Sequence, residues 1–476
     1  MPSLSSRGRI EFEPGSYRDR DGRVFRHAGT VYRALSNRAL EEWEFVHQTK
    51  FFPAAVAAGE IVETQRVDSG ESGTLAPGWA AVLKHETIPF VSYPFEWTFG
   101  MLQDAALLQL KLLQAALDDD VTLKDGTAYN VQWRGTAPVF IDIASFERLQ
   151  PGQAWAGYRQ FCQTMLFPLL LQAYKRVDFH PWLRGRLDGM TAEECWRVMS
   201  FRDFFRRGVP THVYLHSKFQ SSATLDAVDT GKSLRAAGFH KEMIRNNAVR
   251  LHELVGSLRW SPSKSTWSGY ADANSYSDGD RETKEQFVRG VTRTTRWEQV
   301  WDLGCNTGTF SRIAAENADL VVAIDADHLA VERLYQSLKA EGGAPSRRVL
   351  PLVSSVVDQT GGLGWLGSER RALRDRGRPN LTLCLALIHH LVIGHGVPVA
   401  ELLRWLAGFG SDLVVEYVAK DDPMVRRLLR GRTDNYFDYE PEAFERQLAE
   451  SFIVQRREVL PSRTRVLYHA VSREAA

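Results

Sequence analysis

The stretch from Trp301 to Asp327, WDLGCNTGTFSRIAAENADLVVAIDAD, has the pattern of two strands joined by a turn and a helix. The apolar run that ends at Leu303 and the later run VVAI at 321–324 are typical of short buried strands. Residues 309–317 between them have helix-forming composition. This order predicts one βαβ half of a doubly wound sheet, a fold in which ligands bind at the carboxyl ends of the strands.

The turn after the first strand carries residues that allow close contact with a ligand. Gly304 permits a tight turn, and Gly308 permits close approach of a ligand or of the sheet at the helix start. Asn306 stands between them and is one of the few other residues that tolerate the left-handed region. Asp302 would repel a pyrophosphate but would suit an ammonium group. Asp325 closes the second strand at the spacing from which an acidic side chain accepts ribose hydroxyls.

These residues resemble the first motif of the class I S-adenosylmethionine (SAM) methyltransferases, an acidic residue followed by alternating glycines. The resemblance implies that Asp302, Gly304 and Gly308 line the methionine side of SAM and that Asp325 holds its ribose. Asn306 replaces one glycine of the motif and is predicted to serve in the same turn. The alternative is a Rossmann-type turn that holds another ligand or none.

Further contacts with the cofactor are predicted on either side of this turn. The third strand region ends at Asp358, from which the resembling family would contact the adenine amino group, and Ser354 and Ser355 compete for that place. Tyr276 and Lys284 precede the first strand and are candidates for the SAM carboxylate or for a lid over the adenine. Packing aromatics and a surface lysine are the alternative reading of this segment.

The fourth strand supplies the candidate catalytic base. The apolar run at 381–388 is typical of a strand buried on both faces, and His389 and His390 follow it. A histidine at this end of the sheet could accept a proton from an attacking hydroxyl or amine. The alternative is that one of the two only forms a hydrogen bond with a neighbouring loop.

The end of the chain predicts a closing antiparallel pair of strands at 452–459 and 465–471. With this pair the C-terminal region has the α/β class, a Rossmann-like and mostly parallel sheet with an antiparallel closing strand. Its finer details resemble methyltransferases associated with nodulation proteins. The Asn/Asp-Pro-Pro-aromatic motif of adenine-N6 DNA methyltransferases is missing after the fourth strand, which argues against DNA as the acceptor.

Residues 122–142, TLKDGTAYNVQWRGTAPVFID, contain an Asp, an Asn five positions later and an apolar strand that ends in Asp. They resemble the catalytic loop and metal-binding strand of protein kinases and antibiotic phosphotransferases, and the preceding elements fit an α+β kinase-like domain. The resemblance implies that Asp125 is the base and that Asn130 and Asp142 hold magnesium with ATP. The glycine-rich loop and the strand lysine are missing, and Arg33 is a poor substitute for the latter. The domain is therefore either an active phosphotransferase or a non-catalytic helper.

Composition places the chain among ordinary globular proteins. Its 476 residues carry a net charge of +1, which predicts neither a nucleic-acid partner nor a membrane partner. A local basic cluster at 196–207 would face either phosphate or solvent. The four cysteines lack metal-binding spacing, and the first residues lack an apolar signal region, so a cytoplasmic location is expected.

The predicted organisation is a kinase-like α+β domain at 1–216, a linker and helix at 217–259, and a class I methyltransferase domain at 260–476. The predicted activity is SAM-dependent methyl transfer to an oxygen or nitrogen of a small molecule, a glycan or a protein. Two alternatives remain open. One is a bifunctional enzyme that also uses Mg-ATP, and the other is a non-catalytic scaffold that binds SAM or a nucleotide.

Overall fold

A computed structural model describes residues 10–218, 241–260 and 278–473. The chain forms two compact units. The N-terminal unit contains Met1–Trp133, Pro138–Ser261 and Gly362–Arg370, and the C-terminal unit contains Arg134–Ala137, Pro262–Gly361 and Arg371–Ala476. Among the helices in the described ranges, none has both the length and the apolar character that crossing a bilayer requires.

The N-terminal unit begins with an antiparallel sheet. Its strands are β1 (Glu11–Phe12), β2 (Gly22–His27), β3 (Thr30–Leu35), β4 (Thr64–Arg66) and β5 (Ala81–His85). They lie in the order β1-β2-β3-β5-β4. The turn between β2 and β3 has positive φ at both of its residues, Ala28 (49°) and Gly29 (81°), which suits the twist of a two-residue hairpin. Three helices accompany the sheet: α1 (Asn37–His47), α2 (Phe51–Ala57) and α3 (Ser69–Leu75).

Helices dominate the rest of this unit. The long helix α4 (Phe99–Asp118) begins at Thr98, whose hydroxyl accepts a hydrogen bond from the backbone N–H of Met101 at 3.2 Å. Four short strands follow: β6 (Val121–Leu123), β7 (Val131–Arg134), β8 (Ala137–Phe140) and β9 (Phe146–Arg148). The later helices are α5 (Tyr158–Phe161), α6 (Phe167–Leu170), α7 (His180–Gly185), α8 (Ala192–Val198) and α9 (Lys241–Ser257). The α+β composition matches the prediction, while its kinase-like identity stays a prediction.

The C-terminal unit is built on one sheet of seven strands. They are β10 (Trp297–Leu303), β11 (Ala318–Asp325), β12 (Val349–Val353), β13 (Leu381–Cys384), β14 (Asp412–Val418), β15 (Phe452–Val459) and β16 (Arg465–Ser472). Their order is β12-β11-β10-β13-β14-β16-β15. The first five are parallel to one another, and β16 is antiparallel to both of its neighbours. The predicted α/β class with an antiparallel closing strand is confirmed.

Seven helices connect and cover these strands in the described part of the unit. They are α10 (Asp278–Thr292), α11 (Thr309–Ala315), α12 (His328–Glu341), α13 (Gly343–Arg348), α14 (Val399–Ala407), α15 (Pro423–Leu429) and α16 (Pro441–Ser451). Apolar side chains of the strands form one core with the helices, as Val300, Val321 and Leu381 do with Phe287 of α10. The strand order reverses between β10 and β13, and this reversal opens a crevice at their carboxyl ends.

Candidate active site

A cavity of about 250 Å³ lies at the carboxyl ends of β10, β11, β12 and β13. Its volume is close to the lower end of the range for small-molecule sites, roughly 300–1,000 Å³. The predicted residues in its wall are Lys284, Asp302, Gly304, Asn306, Asp325 and His390. The structure therefore brings together residues that are more than a hundred positions apart in sequence, at the place where the fold predicts a ligand.

The turn after β10 has the backbone that its residues predict. Gly304, Asn306 and Gly308 all have positive φ, at 77°, 48° and 79°. A Cβ on Gly304 would lie 3.3 Å from the side chain of Leu387. A Cβ on Gly308 would lie only 2.4 Å from Leu334 of α12, so this glycine makes room for helix packing and is not part of the cavity wall.

Asp325 ends β11 with both carboxylate oxygens turned to the neighbouring backbone. Oδ2 accepts from the N–H of Asn306 and Oδ1 from the N–H of Asp327, each at 2.8 Å. A carboxylate has about four acceptor sites, so beside these bonds Asp325 can accept a hydrogen bond from a hydroxyl group in the cavity. The side-chain oxygen of Asn306 is buried without a hydrogen-bond partner among the described residues. These unused acceptors fit the hydroxyl groups of a ribose.

Asp302 lies at the base of the cavity and is 2% exposed. Ser311 of α11 donates to its Oδ2 at 2.5 Å. Burial raises the pKa of Asp302 to about 6, and the carboxylate of Asp325 adds to this, whereas the bond from Ser311 opposes it. A ligand cation would compensate the buried carboxylate, so the ammonium group of a methionine fits this position.

Lys284 of α10 contributes a buried cation to the same wall. Its Nζ donates to Oε2 of Glu416 at 2.5 Å and lies 4.7 Å from the centre of the Phe310 ring. Burial lowers the pKa of Lys284, and Glu416 opposes that shift. The charge of Lys284 also interacts with that of Asp302. A cation and an anion in one wall match the two charges of an amino-acid group.

A buried ionic network supports Lys284 from behind. Glu416, on β14, also accepts from Nη1 of Arg465 at 3.1 Å. Arg465 in turn donates from Nε to Oδ2 of Asp422 at 2.8 Å. All four side chains are almost fully buried, and their two positive and two negative charges balance. The sequence gives little signal for this network, because its members lie on four separate elements.

The two predicted histidines occupy different environments. His390 lies in the cavity wall, and burial together with His395 lowers its pKa to about 4, so its imidazole is neutral at neutral pH. His389 is fully buried outside the wall, and neither ring nitrogen has a hydrogen-bond partner in the described structure. His390 is therefore the better placed base. His395 also lines the cavity, and its position in the run HHLVIGH was the signal that sequence reasoning missed.

Asp358, the predicted adenine contact, does not line the cavity. Asp358 is exposed, and its N–H donates to the hydroxyl of Ser355 at 3.2 Å. After β12 the wall is formed instead by residues 354–357, which include both serines that compete for the adenine contact. Tyr276 lies outside the described residues.

The N-terminal unit also brings its three predicted residues together, but it encloses them in protein hydrogen bonds. Asn130 donates to the hydroxyl of Ser145 at 3.1 Å, and Ser145 donates to Oδ2 of Asp142. The guanidinium of Arg33, on β3, donates to the other oxygen of Asp142 at 2.5 Å. Asp125 accepts from a backbone N–H at 3.1 Å, and burial raises its pKa to about 6. Arg33 therefore forms an ion pair with Asp142, the residue predicted to bind the metal ion.

The strand order gives the C-terminal unit the Rossmann-like fold that the sequence predicts for a class I methyltransferase domain. The chain is 34% identical to the nodulation protein NoeA of Rhizobium meliloti (strain 1021) over 457 residues, which are 95% of this chain and 94% of NoeA. The chain therefore belongs to the NoeA family of nodulation proteins. The sequence matches no protein-family model.

Two solved structures overlap parts of the chain. The N-methyltransferase NodS from Bradyrhizobium japonicum WM9, in complex with S-adenosyl-L-homocysteine, is 14% identical and overlaps 42% of this chain and 90% of NodS, with a TM-score of 0.31. The bifunctional kinase-methyltransferase WbdD is 16% identical and overlaps 43% of this chain and 42% of WbdD, with a TM-score of 0.29.

Proposed function

We propose that this protein transfers the methyl group of SAM to an oxygen or nitrogen atom of an acceptor molecule. The observation that carries the proposal is a single cavity at the strand-order reversal that contains Asp302, Lys284 and Asp325. These side chains offer one anion, one cation and a pair of hydroxyl acceptors. SAM carries the complementary ammonium, carboxylate and ribose groups.

Each residue has a role that its surroundings support. Asp302 would hold the ammonium group, Lys284 the carboxylate and Asp325 the ribose. Bound SAM supplies a methyl group that is already activated on a sulfonium centre. The protein then has to align the acceptor in line with that methyl group and to remove a proton from the acceptor. His390, neutral and in the cavity wall, is the proposed proton acceptor.

Calorimetric titration of SAM into the full-length protein tests the cofactor. We expect micromolar affinity in the wild type and a loss of roughly 2–3 kcal/mol in Asp325→Ala, because hydrogen bonds to a charged group are lost. Asp319→Ala is the matched control, since Asp319 lies on the same strand but pairs with Arg296 at the surface. If the wild type does not bind SAM, or if both variants bind equally, the proposal fails.

The acceptor can be sought once SAM binding is established. Incubation with methyl-labelled SAM and fractionated small molecules, glycans and proteins should label one class of acceptor. In His390→Gln we expect transfer to that acceptor to fall while SAM affinity is retained. Binding of SAM without transfer to any fraction would favour the non-catalytic scaffold instead.

The second candidate is an additional phosphotransferase activity. The convergence of Asp125, Asn130 and Asp142 in the N-terminal unit favours it. The ion pair between Arg33 and Asp142 opposes it, because a magnesium ion would have to compete with this guanidinium for the carboxylate. We therefore rank it below methyl transfer and test it with Mg-ATP as described below.

A further inference from the structure

The N-terminal unit carries two phenylalanines that protrude into solvent. Phe201 and Phe205 are 80% and 73% exposed and stand at the two ends of a short 3₁₀ turn. Their rings meet edge to face, with centroids 5.6 Å apart. Phenylalanine is a residue that folding normally buries, so two such rings side by side on the surface require an explanation.

The turn that presents these rings is firmly held. Asp203, in its middle, is 3% exposed, and its Oδ2 accepts from the N–H and hydroxyl of Ser200 at 2.8 and 2.6 Å. The same oxygen accepts from Lys175 at 2.7 Å, which connects the turn to the segment that ends in Lys175 and Arg176. Arg206 lies 4.8 Å over the ring of Tyr174 in that segment. The phenylalanines are thus displayed by an ordered base.

Arginines lie on the turn that carries the exposed rings and on the segment that contacts this turn through Lys175. Arg176 and Arg202 are exposed, and within the described residues neither forms an ion pair. Arg206 is also exposed but shares the carboxylate of Asp203 with Lys175. Asp178 is the exposed acidic residue nearest to Arg176 in sequence. We name Phe201, Phe205, Arg176, Arg202 and Arg206 the Phe-Arg patch, and its charge is positive.

We infer that the Phe-Arg patch docks this protein on an anionic lipid surface. Exposed aromatic rings enter the boundary between headgroups and acyl chains, and arginines around them pair with lipid phosphates. The net charge of +1 for the whole chain hides this local arrangement, which explains why composition alone predicts no membrane partner. The inference does not depend on the proposed methyl transfer.

A lipid surface fits the patch better than a protein partner does. Each phenylalanine can bury about 150–250 Å², so the two rings together are comparable to what one side of a small protein interface buries, and shape and not area distinguishes the two kinds of partner. The rings also protrude, and a protein would need a matching pocket for them. A lipid boundary accepts a protruding ring without shape complementarity.

Co-sedimentation of the full-length protein with vesicles tests the inference. The vesicles contain phosphatidylglycerol and phosphatidylcholine in equal parts, or phosphatidylcholine alone. We expect the wild type to bind only the anionic vesicles. Loss of both rings in Phe201→Ser/Phe205→Ser should weaken binding by at least about tenfold, and Arg176→Gln/Arg202→Gln should weaken it by about fivefold for each arginine removed. The arginine effect should shrink as salt is added.

Matched controls come from the C-terminal unit. Phe437 is 81% exposed, and Phe437→Ser should bind vesicles like the wild type. Arg378→Gln/Arg430→Gln removes two exposed arginines elsewhere and should cost little. Circular dichroism checks that each variant is folded. If the phenylalanine variant unfolds, vesicle binding by the arginine variant becomes the deciding measurement. The inference is overturned if the wild type ignores anionic vesicles, if patch variants bind as the wild type does, or if they change only self-association.

Discussion

The two units differ in the contacts of the carboxylates that lie near their strand ends. In the C-terminal unit Asp302 and Asp325 lie at the carboxyl ends of β10 and β11 and line an open cavity. In the N-terminal unit Asp142 follows β8, but Arg33 and Ser145 occupy both of its oxygens. Both motifs are recognisable in sequence, and both assemble in the fold. The difference is that Asp325 accepts from neutral backbone N–H groups and lines a cavity, whereas Asp142 is already paired with a cation of the protein, the guanidinium of Arg33.

The two units also differ in the cation that lies beside the acidic residues. Lys284 and Arg33 each pair with a carboxylate far away in sequence. Lys284 remains part of a cavity wall, because Phe310 and Glu416 hold it at the surface of that cavity. Arg33 instead meets the carboxylate that a metal ion would need. A basic residue beside an acidic motif can therefore either line a ligand cavity or pair with the carboxylate that a metal ion would otherwise bind.

The largest expected effect concerns stability. Lys284→Met removes one of the two cations that pair with the fully buried Glu416, and we expect a loss of about 3 kcal/mol in the C-terminal unit. Arg33→Met acts on a pair whose side chains are 11% and 22% exposed, so about 1 kcal/mol is expected in the N-terminal unit. Hydrogen exchange with peptide resolution measures the two units separately. Equal losses of stability in the two variants would contradict the expected difference between the two ion pairs.

A smaller effect concerns the pH dependence of SAM binding. The pKa of Asp302 is about 6 in the free protein, and a bound ammonium group would favour the ionised form and lower it. Affinity should therefore rise as pH increases through about 6 and level off above it, with a loss of up to about tenfold per pH unit below. Calorimetry over this range in wild type and Asp302→Asn checks it. Asp302→Asn should bind SAM weakly at every pH. If the SAM affinity of the wild type is equally independent of pH, Asp302 does not hold the ammonium group.

The smallest expected effect is that of Mg-ATP on the N-terminal unit. Because Arg33 already neutralises Asp142, we expect Mg-ATP to change the free energy of opening of this unit by less than about 0.5 kcal/mol, whereas a ligand at a hundred times its Kd would add about 2.7 kcal/mol. Hydrogen exchange with Mg-ATP, with ATP alone and with neither measures this. A nucleotide site would show itself as protection from exchange that requires magnesium, that is lost in Asp142→Asn and that is kept in the control Asp188→Asn. This result would contradict the difference between the two units.

Local patterns predict the strands of the C-terminal unit, but the predicted third and fourth strands are too long, since β12 ends at Val353 and β13 at Cys384, before the two histidines. The first strand was expected to end at Leu303, and β10 does so. The closing pair predicted at 452–459 and 465–471 matches β15 and β16 to within one residue. Alternating apolar runs and turn glycines are short-range signals, because strand burial and backbone conformation depend on nearby residues. The same signals placed Asp302, Asn306 and Asp325 at the site.

The tertiary structure alone decided which of these side chains face the cavity. His389 and His390 are neighbours in sequence, yet only His390 lines the wall, because the chain turns sharply after β13. Gly308 serves the packing of Leu334. Lys284 meets Glu416 across 132 positions, and Arg33 meets Asp142 across 109. Such pairings depend on how distant elements pack, and no local pattern records whether a charge is left open to a ligand or neutralised within the fold.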